Sequence, residues 1–138
     1  VWSSASTRCA YFSCDTRGVV LLAWNSELVR ITNCVRDTHF ISGFVSPTDG
    51  APWWLTTVYG PQDHQDKMLF LEELEARRSL CPGAWLVIGD FNMILRASEK
   101  NNTNLNHAMM RKFRDFVDEH ELKEMYMHGR RYTWSNER

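Results

Sequence analysis

The stretch that most constrains the fold is residues 84–92, with the sequence AWLVIGDFN. Its apolar part, residues 85–88, is too short for a helix, and turn-forming Pro82-Gly83 and Gly89-Asp90 bound it. Short apolar runs between turn residues are typical of strands, so this pattern predicts a buried strand. Asp90 and Asn92 would then follow the carboxyl end of that strand, where α/β sheets commonly carry their sites.

Asp90 and Asn92 have complementary chemistry. The Asp90 carboxylate can accept a proton from water or bind a divalent cation. The Asn92 amide stays neutral beside it and can hold a phosphate or carbonyl oxygen. Residues two apart in a strand point the same way, so we expect both side chains to face one cleft. The alternative is an ordinary turn, because Gly, Asp and Asn are common turn residues.

The length and net charge of the chain limit the number of domains and the kinds of protein that it can be. A chain of 138 residues suffices for one domain with one core. Its formal net charge of −1 excludes a nonspecific nucleic-acid coat but not an enzyme that touches nucleic acid at a metal-bearing cleft. The 4 cysteines fit no zinc spacing, and no apolar run has the length of a membrane span. We expect an intracellular protein with reduced thiols and no membrane partner, while a Cys9–Cys14 disulfide stays open.

The remaining pattern predicts a mixed α/β fold. We expect strands over residues 10–14, 19–24, 28–35, 40–45, 53–59 and 131–134, and helices over residues 64–80 and 107–120. The near-continuous apolar run at 19–24 predicts a strand buried on both faces. Short turns between the early strands favour an antiparallel meander. No composition shift marks a boundary, so residues 1–138 are expected to form a single domain.

Three motifs place polar side chains at predicted strand ends. They are VYGP at 58–61, GDFN at 89–92 and RYTWSN at 131–136. If these strands are neighbours, the Tyr59 phenol, the Asp90 and Asn92 pair and the Thr133 hydroxyl meet at one cleft. A phosphodiester hydrolase needs such a set, with donors around the phosphate, an acid to align water and a metal to neutralise charge.

The order of these motifs resembles the endonuclease/exonuclease/phosphatase family. More narrowly, it resembles the endonuclease domain of plant non-LTR (LINE-type) retrotransposons. The phrases TRG at 16–18, LLAW at 21–24 and WLVI at 85–88 extend the resemblance over nearly the whole chain. It implies a magnesium-dependent, DNA-binding nuclease, a hydrolase whose α/β fold is a two-sheet sandwich with flanking helices. Residues 1–138 would form a partial sandwich of this type, truncated at both termini.

The resemblance also implies roles for individual residues. Asp90 would align or deprotonate the attacking water and contact the metal, although not as its main ligand. Asn92 would hold the scissile phosphate and orient Asp90, and Tyr59 would bind the phosphate or stabilise the leaving oxygen. Thr133 would contact DNA or brace the floor of the site. Independently of the resemblance, the positive charge of Arg131 makes it a candidate to bind phosphate, with a solvated surface arginine as the alternative.

Parts of the family pattern have no counterpart in the chain. The family's metal-binding glutamate precedes the matching region, and its catalytic histidine, in a Ser-Asp-His set, follows it. The 5 histidines of this chain occupy none of the matching places. We therefore expect a piece of a longer reading frame that is inactive, or nearly so, by itself, and whether it is an enzyme stays open.

Two other functions remain open from the sequence. One is a phosphatase of the same family that acts on small phosphoesters or lipid headgroups, and the other is a degenerate, non-catalytic remnant or binding module. Membership of a retroelement protein would imply a nuclear location. The sequence leaves the oligomeric state undetermined.

Overall fold

A computed structural model describes residues 7–14, 18–100 and 104–125, with side chains from Val20 onward. This described part is a mixed α/β structure with a four-stranded sheet, a two-stranded sheet and two α-helices. The chain divides into two compact units, Val1–Asn92 and Met93–Arg138. The single-domain expectation stays a prediction, and each unit is described by itself.

The first unit begins with a hairpin and continues into the larger sheet. Strands β1 (Thr7–Cys14) and β2 (Gly18–Asn25) pair antiparallel, and β3 (Val29–Arg36), β4 (Phe40–Pro47) and β5 (Trp53–Tyr59) form a second antiparallel run. The predicted meander is therefore confirmed for β3 to β5. Helix α1 (His64–Ser79) then crosses over to β6 (Trp85–Asp90), which pairs parallel with β5. Because β5 and β6 are parallel, both end at the same edge of the sheet.

One face of the larger sheet packs against β2. Val20 and Leu22 of β2 are buried with Ile41 of β4, and Leu55 and Tyr59 of β5 pack partly buried against them. The prediction that β2 is buried on both faces is wrong, because Leu21, between these two residues, is 60% exposed. A continuous apolar run does not show whether a second layer covers the other face.

The opposite face of the sheet is covered by α1. Asp63 caps this helix by accepting a hydrogen bond from the Gln65 backbone N–H at 2.8 Å, as its position predicts. Phe70, Leu71 and Leu74 are buried, and the Arg77 guanidinium lies 5.3 Å above the Trp54 ring. The i,i+4 spacing of Glu73 and Arg77 on this helix predicts an exposed ion pair. That prediction is wrong, since Arg77 is only 8% exposed. The aromatic face of Trp54 draws the guanidinium inward.

The second unit contains α2 (His107–Glu119) after a short 3-10 helix (Ala97–Glu99). Asn106 caps α2 by accepting a hydrogen bond from the Met109 N–H at 3.0 Å. The i, i+4, i+7 spacing of Met109, Phe113 and Phe116 predicts one apolar face on this helix, and all three residues are buried. The predicted strand over residues 131–134 lies outside the described residues. None of the helices in the described ranges has the length and apolar character needed to cross a membrane.

Candidate functional site at the ends of β5 and β6

The parallel pairing of β5 and β6 places Tyr59 directly opposite Asp90. The Gly60 N–H donates to the Asp90 carbonyl at 2.7 Å, so the ladder extends one residue beyond this pair. Residues directly opposite each other in a sheet project to the same face. Tyr59 packs against the cluster with β2, which identifies that face. Tyr59 and Asp90 are therefore neighbours, with Asp90 as the last residue of β6 rather than a loop residue.

Asn92 reaches the same place through a tight turn. Its N–H donates to Asp90 Oδ1 at 2.8 Å, and its φ of 51° lies in the left-handed region, which Asn tolerates better than most residues. The turn directs the side chain back to β5, where Asn92 Nδ2 donates to the Gly60 carbonyl at 2.6 Å. Gly60 thus bonds to the β6 motif through both its N–H and its carbonyl, and the ends of the two strands form one hydrogen-bonded unit.

Two glycines make this close approach possible. A Cβ on Gly60 would overlap the Phe91 carbonyl. Gly89 has a φ of +127°, and a Cβ there would overlap the Val58 carbonyl. From the sequence, these glycines are interpreted only as turn residues that end the strands, so their part in the site is missed. The available signal was their position inside the VYGP and GDFN motifs.

The chemical groups at this edge differ in accessibility. Asp90 is exposed, and only its Oδ1 is engaged by a hydrogen bond from the residues that the structure describes. Its second carboxylate oxygen can meet water, a cation or a donor on a ligand. Asn92 is half-buried and uses one of its two amide hydrogens on Gly60. No described residue bonds to its second amide hydrogen or its Oδ1, so Asn92 can contact a ligand in addition to holding the two strand ends together.

His39 lies opposite Tyr59 on the neighbouring chain segment, one residue before β4 begins. The His39 carbonyl accepts the Tyr59 N–H at 2.9 Å, and His39 Nδ1 lies 3.2 Å from the Tyr59 carbonyl. A carbonyl only accepts hydrogen bonds, so Nδ1 carries the hydrogen in this contact. Sequence reasoning missed this residue because no motif contains it.

The fit of a magnesium ion depends on Asp90. Among the described residues, no group of three or more His, Cys, Asp or Glu side chains is placed to hold a metal. Magnesium in proteins often binds one or two carboxylates and takes its other ligands from water and substrate phosphate. The accessible oxygen of Asp90 fits one such position, and the described residues do not form a complete site made of protein ligands.

The other predicted ligand-binding residues, Thr133 and Arg131, lie outside the described residues with the rest of the RYTWSN motif. The structure therefore brings together Tyr59, Asp90 and Asn92 and does not test the third motif. Comparison of the chain with protein-family models and with curated proteins gives no match. The family resemblance thus stays a prediction.

Proposed function

We propose that this chain provides the phosphate-binding edge of a metal-dependent DNA endonuclease domain of the endonuclease/exonuclease/phosphatase type, as in LINE-type retrotransposons. The observation that carries the proposal is the parallel register of Tyr59 with Asp90, with Asn92 tied to both strand ends. A phenol, a carboxylate and an amide at one edge can position a phosphodiester and a water molecule together. The contact of β2 with β4 and β5 is also compatible with the two-sheet sandwich that this function implies.

Each group would have a defined role in hydrolysis. Asp90 would accept a proton from the water molecule while the water oxygen attacks phosphorus, and the bond between phosphorus and the leaving oxygen would break as that oxygen takes a proton from solvent. The remaining amide hydrogen of Asn92 and the phenol of Tyr59 would donate to phosphate oxygens. Asp90 would supply one ligand to magnesium, which would neutralise charge on the phosphate when bound. A role in retrotransposition would place the protein in the nucleus.

The test is nicking of supercoiled plasmid in the presence of magnesium, with the chain inside its full reading frame. Asp90→Asn removes the charge but keeps an oxygen that can accept the Asn92 N–H, so the turn is preserved. Removal of a general base typically costs about 10²- to 10⁴-fold in rate, and we expect Asp90→Asn to lose activity in this range. Asp49→Asn is the matched control, because Asp49 is an exposed turn residue outside the site.

The outcomes of this test separate the candidate functions. Nicking that falls in Asp90→Asn and not in Asp49→Asn supports the endonuclease. Equal nicking by Asp90→Asn and the parent protein overturns the assignment of Asp90. Phosphate release from small phosphoesters without nicking would identify a phosphatase instead. For the 138-residue chain alone, titration with a short duplex and magnesium is the corresponding measurement, and binding without turnover would identify a binding module.

A further inference from the structure

We propose that His39 is a positioning residue that holds Tyr59 and the Asp90–Asn92 turn in register. This inference rests on the proposed function of the strand ends, since it names a residue that would support that function without touching substrate. It is carried by two sets of contacts, one to the backbone of Tyr59 and one to the aromatic side chains behind the turn.

The first set of contacts fixes Tyr59 at the end of β5. Phe40 pairs with Val58, so His39 lies opposite Tyr59 just before β4 begins. The Tyr59 N–H donates to the His39 carbonyl at 2.9 Å, and His39 Nδ1–H points to the Tyr59 carbonyl across 3.2 Å. Both backbone polar groups of Tyr59 are thus met by one residue. Loss of the imidazole would remove this hydrogen bond at the point where the regular β4–β5 pairing ends.

The second set of contacts reaches the turn that carries Asp90 and Asn92. The His39 ring meets Phe70 edge-on, with centroids 5.7 Å apart and an interplanar angle of 74°. Phe70 is fully buried and packs against Phe91, with centroids 6.3 Å apart. Phe91 lies between Asp90 and Asn92 in the chain. An unbroken path of packed rings therefore joins the backbone support of Tyr59 to the turn.

Three variants separate the hydrogen bond of His39 from its packing. His39→Asn places an amide N–H near the position of Nδ1 but gives up most of the ring against Phe70. His39→Phe keeps a ring against Phe70 but cannot donate to Tyr59. His39→Ala loses both. Misplacement of a reacting group by about 1 Å can cost about 10²-fold, so we expect His39→Ala to lower the kcat for nicking by about 10- to 100-fold with little change in KM. Both partial variants should retain more activity than His39→Ala.

A double-mutant cycle shows whether His39 acts through Tyr59. Tyr59→Phe removes the phenol that His39 would position, so His39→Ala should cost less in the Tyr59→Phe background than in the parent protein, because only its effect on the Asp90–Asn92 turn remains. An equal loss in both backgrounds would overturn the inference that His39 positions Tyr59. His107→Ala is the control, because His107 is an exposed histidine on α2, and it should leave the nicking rate unchanged.

A readout independent of activity distinguishes this inference from the proposed function. Amide hydrogen exchange at Tyr59 should be about 2- to 10-fold faster in His39→Ala, because the end of β5 opens more often without the Nδ1 hydrogen bond, while exchange at Leu55, in the middle of β5, should be unchanged. Unchanged exchange at Tyr59 would overturn the positioning role whatever the activity. Faster exchange at Tyr59 together with equal nicking by Asp90→Asn would leave the support intact and overturn the proposed function alone.

Discussion

Parallel replacement of Asn92 and Asn33 by alanine measures the strength of the link between the strand ends. Both asparagines have nearly the same left-handed backbone, with φ of 51° and 52°. Asn33 is exposed at the irregularity of β3, and its side chain makes no hydrogen bond to any described residue. Asn92 differs in that its Nδ2 donates to the Gly60 carbonyl at 2.6 Å. Asn33→Ala therefore reports the backbone strain alone, and Asn92→Ala reports the strain and the lost hydrogen bond.

The expected losses of unfolding free energy follow from the backbone strain and from the hydrogen bond to Gly60. Left-handed backbone costs an ordinary L-residue roughly 1–2 kcal/mol, and Asn pays less of this cost. We therefore expect Asn33→Ala to lower the free energy of unfolding by about 1 kcal/mol. A protein hydrogen bond contributes about 0.5–1.5 kcal/mol net, so Asn92→Ala should lose about 1.5–2.5 kcal/mol. Glycine adopts positive φ without strain, so Asn92→Gly should be at least as stable as Asn92→Ala.

Urea unfolding, followed by tryptophan fluorescence, measures these differences because the chain has 6 tryptophans. The midpoints of the variants can be compared directly where the slope of the transition is unchanged. A loss in Asn92→Ala no larger than that in Asn33→Ala would refute the hydrogen bond to Gly60. An Asn92→Ala variant more stable than Asn92→Gly would refute the left-handed turn itself.

Two further predictions concern polar groups near the sheet. Thr56 Oγ1 accepts the Trp85 indole N–H at 2.9 Å and lies 2.8 Å from Ser42 Oγ, so Thr56→Val should lose about 1–3 kcal/mol in urea unfolding, and Thr56→Ser, which keeps the hydroxyl, should lose less. Burial, followed by the nearby Asp37 carboxylate, raises the pKa of Glu73, so Glu73 favours folding when protonated and this contribution is lost as pH rises through its folded pKa. Glu73→Gln should therefore gain stability relative to the parent protein as pH rises from about 4 to about 7, and urea midpoints that stay equal across this range would contradict it.

Strong local signals made much of the first unit predictable. Strand β5 was expected over residues 53–59 and is observed as Trp53–Tyr59. The turn residues at 47–50 precede this strand and Gly60-Pro61 follow it, so both of its ends are marked in the sequence. The start of α1 was equally clear, because Asp63 can satisfy a backbone N–H that the first turn leaves without a partner.

Features that depend on the neighbouring layers could not be predicted in this way. Residues 85–88 were expected to form a buried strand, yet Ile88 is 43% exposed. In the sheet that the structure describes, β6 is an edge strand, and an apolar run does not distinguish an edge strand from a central one. The contact of His39 with Tyr59 could not be predicted either, because the two residues are 20 positions apart in the sequence and only the pairing of β4 with β5 brings them together.

The turn at Asn92 changes how substitutions in the candidate site should be interpreted. Two-residue spacing predicted that Asp90 and Asn92 would face one cleft as strand neighbours, whereas Asn92 reaches β5 by leaving the strand conformation. A loss of nicking in an Asn92 variant could therefore arise from a loosened strand end without any lost contact to phosphate. Asp90→Asn avoids this ambiguity, because its amide oxygen still accepts the Asn92 N–H. Loss of activity at unchanged unfolding free energy in Asp90→Asn would thus assign the chemistry to the carboxylate, and only then would the Asn92 variants measure how rigidly that carboxylate must be held.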